Sequence, residues 1–118
     1  MIKEDVSKDK LFSKVANLAD LVSYQDDAIV SRTIIEKDTV TITLFAFDKD
    51  QGLSEHKAPY DALIYLLDGE ALATISGRLF KLGKGQMIII PANELHSVKA
   101  KGRFKMLLVK MLLVMIRS

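Results

Sequence analysis

The chain of 118 residues reads as a mainly β protein, and three observations carry that expectation. Short apolar segments rich in β-branched residues follow one another at close intervals. Turn clusters separate them, among them Asp68-Gly69, Ser76-Gly77, Gly83-Lys84-Gly85 and Lys101-Gly102. Helical periodicity is confined to one stretch near the N-terminus. Many short strands with regular turns and little helix predict a sandwich or barrel.

The elements follow in order. In residues 8–22, KDKLFSKVANLADLV, the spacing of Leu11, Val15, Leu18 and Val22 predicts one short helix or a few irregular turns. After Asp26-Asp27 the texture changes to AIVSRTIIE and then to an alternating strand over 39–47. Thr39, Thr41, Thr43, Phe45 and Phe47 share one face of that strand, and Val40, Ile42, Leu44 and Ala46 share the other. Both faces carry apolar residues, so both are expected to be covered. Further strands are predicted at 62–67, 70–75, 78–82, 86–90, 96–100 and 103–116.

The last of these holds an internal repeat. KMLLV occurs at 105–109 and again at 110–114. An odd repeat in an unbroken strand turns its second copy over, so Lys105 and Lys110 should point to opposite sides of the sheet. The simplest account of the duplication is a lengthened terminal strand.

Composition excludes several classes of function. Seventeen basic against fifteen acidic residues leave a net charge of +2, with no basic run, so no nucleic-acid partner is expected. The absence of cysteine excludes disulfides, thiolate zinc sites and cysteine nucleophiles. The charged N-terminus carries no signal-peptide segment, and the apolar C-terminal run is broken by Lys110. A cytoplasmic protein without a membrane partner is the expectation. One domain covering 1–118 fits the length.

The stretch 55–69, EHKAPYDALIYLLDG, and the stretch 85–100, with Gly85, Pro91 and His96 in register, resemble the two conserved-barrel motifs of the cupin family. The motif-bearing region is about 50–100, and the resemblance is to small single-domain type-2 cupins. It implies a jelly-roll β-barrel, with a short helical or irregular N-terminal segment, enclosing a cavity open at one end. His56 takes the first histidine place and His96 the last, so both of the chain's histidines fall on ligand positions. Ala58 stands where the family has its second histidine, and Ala62 where it has glutamate. Asp50 occupies the place of an opening glycine, Asn93 that of a later glycine, and Ala100 that of a final asparagine.

The family's metal site uses three histidines and a glutamate. Two of the four remain, whereas catalytic metal sites generally need about three protein ligands and an open position. Of the nearby carboxylates, Glu55 beside His56 and Asp61 beside Ala62 should point to the opposite face of a strand, and Glu94 is the best placed; the direction of Tyr60 after Pro59 is left open. The two alanines remove bulk and charge, leaving a pocket for a small molecule around His56, Ala58, Ala62, His96, Phe45, Phe47, Ile64 and Met87. Leu66 and Ile89 are further candidates for its wall.

The leading expectation is a small-molecule binding or sensing cupin with no catalytic metal or other cofactor. The alternative is a metal-dependent enzyme of dioxygenase or isomerase type, holding a divalent transition metal on His56, His96 and an unconventional third ligand. A third is a dimerising scaffold. General acid–base chemistry stays open to the two histidines. A homodimer is expected in each case, because strands 39–47 and 62–67 are apolar on both faces.

Overall fold

The computed structural model describes residues 1–4 and 8–112. Among the described residues ten strands form two sheets: β1 (Ile2–Lys3), β2 (Ile29–Glu36), β3 (Val40–Phe47), β4 (Gly52–His56), β5 (Asp61–Asp68), β6 (Glu70–Ile75), β7 (Arg78–Gly83), β8 (Met87–Ile90), β9 (His96–Lys99) and β10 (Phe104–Met111). Six strands lie in the order β1-β2-β3-β10-β5-β8, and four in the order β4-β9-β6-β7. All pairings are antiparallel except the short β1–β2 contact. The architecture is the mainly β jelly roll that the turn spacing and motifs predict.

The two sheets face each other across one core. Its floor is apolar: Phe47 stacks on Phe104 with ring centroids 4.3 Å apart, and Leu66, Met106, Ala71, Ala73 and Leu82 close around them. The expected alternation on β3 is seen, with Phe45 and Phe47 in this core and Leu44 and Ala46 behind it.

The residues behind β3 are covered by the chain itself. The N-terminal segment forms two single 3₁₀ turns, Lys8–Leu11 and Leu18–Leu21, instead of one continuous helix. The second turn and Val22 pack on Val30, Leu44, Ala46 and Leu67. Polar ties fix this segment: Lys105 donates to the Ala19 carbonyl at 2.6 Å, and the Tyr24 hydroxyl donates to Asp68 at 2.6 Å. Burial, and then the bond to Asp68, push the Tyr24 hydroxyl well above its ordinary pKa. Arg103 bridges Asp48 and Asp26, each at 2.7 Å, while Asp48 also accepts from the Asp27 amide.

Two sequence departures from the cupin motifs keep the backbone the family's glycines allow. Asp50 and Asn93 have φ of 63° and 66°, in the left-handed region that Asp and Asn tolerate better than most residues. Gly69, which closes the first motif, needs its identity for a second reason. A Cβ built there collides with the backbone carbonyl of Arg103.

The repeated pentapeptide behaves as its odd length requires. Lys105 reaches the outer face, over the Tyr24 ring, and Lys110 lies inside, over the Tyr60 ring. The strand is described to Met111, and the expected continuation over 113–116 lies outside the described residues.

β3 loses its reason for a partner subunit, because the N-terminal segment covers it. Other outer faces keep theirs: Leu72, Leu79, Met87 and Ile89 are each at least 44% exposed. We propose that Leu72 and Leu79, which share the outer face of β6–β7, mark the face a homodimer buries. Sedimentation at micromolar concentration should give twice the 13.2 kDa chain mass, and a Leu79→Glu variant should be monomeric. A soluble wild-type monomer would discard the dimer.

Candidate functional site

One cavity of about 430 Å³ opens between the sheets at the end away from the Phe47–Phe104 floor. Its walls can be read as rows, since residues directly opposite across antiparallel strands project to the same face. Deepest is Ser31 beside Phe45. Above them runs Thr33–Thr43–Leu108–Ile64, in which the two threonine hydroxyls are 3.0 Å apart. At the rim runs Glu36–Thr41–Lys110–Ala62–Ile90. Met1, Lys3 and Tyr60 also line the cavity, Lys3 on the edge strand β1 as the register partner of Ser31.

The smaller sheet supplies Leu53, Val98 and the two histidines. His56 on β4 and His96 on β9 are register partners, and their ring centroids are 4.2 Å apart with planes tilted by 59°. His96 is buried, whereas His56 sits exposed at the opening. Each ring is held the same way. Nδ1 of His56 donates to the Ser54 carbonyl at 2.8 Å, and Nδ1 of His96 to the Glu94 carbonyl at 2.9 Å. A carbonyl only accepts, so Nδ1 carries a hydrogen in each ring and Nε2 is the nitrogen left outside that bond.

The other expected site residues divide. Phe45, Ala62 and Ile64 line the cavity with the histidines. Ala58 is buried nearby but outside the lining, and its carbonyl accepts the Asn93 amide at 2.7 Å. Phe47 and Leu66 are corrections: both are fully buried in the floor and do not reach the cavity. Met87 and Ile89 are corrections of another kind. β8 pairs with β5 so that Ile88 and Ile90 lie opposite Ile64 and Ala62 and share their inward face, which turns Met87 and Ile89 outward. A run of Met-Ile-Ile-Ile has no polar alternation from which its inner face could be read.

Sequence reasoning missed several lining residues. Ser31, Thr33 and Glu36 come from β2, Leu53 from the unexpected strand β4, and Val98 and Leu108 from β9 and β10. Counting back by twos from Phe45 does find Thr43 and Thr41, and the odd repeat finds Lys110. Nothing comparable marks Glu36.

The fit of this donor set to the cupin metal is poor. Among the described residues no group of three His, Cys, Asp or Glu side chains could hold a metal ion. Two of the carboxylates weighed as a third ligand, Asp61 and Glu94, are engaged elsewhere. Asp61 accepts the Ala92 amide at 2.8 Å, and Glu94 accepts the Ser76 hydroxyl in an exposed turn. Glu36 lines the same cavity, but among the described residues it forms no metal-holding group with the two imidazoles.

A two-sheet jelly roll with a cavity at one end and a histidine pair on the adjacent, paired strands β4 and β9 defines the class. Residues 43–110 match the family model of the cupin domain, and the chain belongs to the cupin family. The fold is shared with a conserved protein of unknown function from Streptococcus pyogenes, at 34% identity and a TM-score of 0.82, over 87% of this chain and 90% of that one. A cupin superfamily protein from Desulfitobacterium hafniense is 30% identical at a TM-score of 0.81, over 85% and 92% of the two chains. A cupin 2 conserved barrel domain protein from Leptotrichia buccalis is 41% identical at a TM-score of 0.79, over 82% of this chain and 47% of its own. No curated protein matches the chain. Among the described residues no helix is long and apolar enough to cross a membrane.

Proposed function

We propose that this cupin binds or senses a small organic molecule in the barrel cavity and uses no catalytic metal. The observation that carries the reading is the cavity lining itself: apolar walls, a few convergent hydroxyls, two imidazoles and the charged Lys3, Glu36 and Lys110, with alanine at the family's glutamate place. Its volume of about 430 Å³ lies within the range of small-molecule sites.

A second reading, the metal-dependent enzyme, has one observation in its favour. Imidazoles that ligate metals usually donate their other nitrogen to a carbonyl or carboxylate, and both histidines here do so. Elemental analysis of protein purified without chelator or nickel resin separates the two. The binding reading expects well under one transition-metal ion per chain and a melting shift below about 2 °C on adding EDTA, because a ligand stabilises only in proportion to its occupancy and affinity. One ion per chain, lost in both His56→Ala and His96→Ala, would replace it with the enzyme.

A further inference from the structure

We infer that the molecule held in this cavity is an organic anion whose carboxylate is taken by Lys110, with its apolar body directed inward. The inference rests on the binding reading above and adds the chemical class of the ligand.

Lys110 is the charged member of the rim row that belongs to the sheet interior. It projects from the middle of the six-stranded sheet, between Thr41 and Ala62, and is only partly exposed. Its ammonium lies 5.7 Å from the Tyr60 ring centroid, a position that holds the charge against an aromatic face. Among the described residues it makes no ion pair with a carboxylate. Glu36 closes the same row two strands away, about 10 Å from Lys110 at the usual strand spacing.

An ammonium drawn partly out of water with no counter-charge is costly, and a bound anion removes that cost. The neighbours suit a carboxylate. The Thr41 hydroxyl stands beside it as a second donor, and the Ala62 methyl leaves space on the other side. Immediately inward on the same two strands stand Leu108 and Ile64, which accept hydrocarbon and not charge, while the Thr33 and Thr43 hydroxyls of that row bond to each other at 3.0 Å. The order of the rows therefore gives a direction as well as a class: carboxylate at the rim, apolar body against Leu108 and Ile64.

The test uses the full chain and three probes of one shape: 3-phenylpropionate, 3-phenylpropanamide and 3-phenylpropylamine. Binding is followed by the NMR shifts of backbone amides and of the Ile64 and Leu108 methyl groups, up to about 10 mM. The expected result is binding of the carboxylate at least tenfold tighter than the amide, with the amine weakest, and shifts centred on Ile64 and Leu108. Lys110→Met should abolish the preference and Lys110→Arg should keep it. Because Lys110→Met places an unbranched apolar side chain in a strand, its amide spectrum should remain that of the folded chain. Should that variant fail to fold, Lys110→Gln supplies the same comparison. Equal binding of acid and amide inside the cavity, or a preference that survives loss of the Lys110 charge, overturns the anion assignment and leaves the binding reading standing. Absence of shifts at Ile64 and Leu108 for all three probes overturns both.

Discussion

Replacing Phe47 by alanine is expected to lower stability by about 3–5 kcal/mol, the range for removing a large aromatic side chain from a packed core. Phe47 is fully buried and lies between Phe45 and Phe104, with ring centroids 5.6 and 4.3 Å away and nearly parallel planes. Its register partners across the six-stranded sheet are Ile29 and Phe104, so its loss opens a void at the base of the barrel where backbone pairing on both sides resists collapse. Melting should fall by roughly 15 °C or more. Phe45→Ala makes the control, since Phe45 lies on the cavity wall and part of its volume already faces open space. It should cost less stability and alter ligand binding more. Equal losses in the two variants would mean that Phe45 and Phe47 do not divide between cavity wall and floor.

The Asp48–Arg103 pair should show itself in the acid range. The bond from Arg103, followed by the amide of Asp27, lowers the Asp48 carboxyl from 3.8 to about 2. A carboxylate with a depressed folded pKa stabilises the fold fully above its unfolded value, and this contribution is lost as pH falls through the folded value. The native chain should therefore hold its melting temperature above about pH 5 and lose it progressively toward pH 2. Arg103→Met leaves the Asp48 carboxylate, only 4% exposed, with backbone donors and no cation. Removing one member of such a pair is far more damaging than replacing both. We expect melting to fall by roughly 5–10 °C at pH 7, with the gap to the native chain narrowing as pH falls through about 2 and closing only below it, where Asp48 is protonated in both. A gap that persists unchanged on acidification would assign the loss to the contact of the Arg103 guanidinium with the Tyr24 ring, its Cζ 5.2 Å from the centroid.

Which strands form, and which way β3 and β5 face, was legible because their chemistry alternates. Thr41, Thr43 and Phe45 inside, with Leu44 and Ala46 outside, follow from a period of two and need no partner strand. The turn residues set the boundaries just as locally, and the histidines could be placed because their positions fall on the two cupin motifs. The opposite faces of Lys105 and Lys110 needed only an odd repeat length and an unbroken strand.

β8 and β2 lay beyond that reasoning. Every residue of Met87–Ile90 is apolar, so the inner pair, Ile88 and Ile90, was chosen by hydrogen-bond register with β5. On β2 the register shifts between Thr33 and Ile35, which leaves Ile34 unopposed and turns Glu36 onto the cavity face. Strict alternation from Thr33 would have sent Glu36 to solvent. A bulge of this kind answers to the twist of the paired strands and leaves no mark in one strand's own sequence. The same holds for the coverage of β3, where the choice between a second subunit and the chain's own N-terminal turns depends on ties such as Lys105 to Ala19, 86 residues apart. Residue chemistry repeats along the chain and can be read there; register, bulges and long-range ties exist only once two distant segments have met.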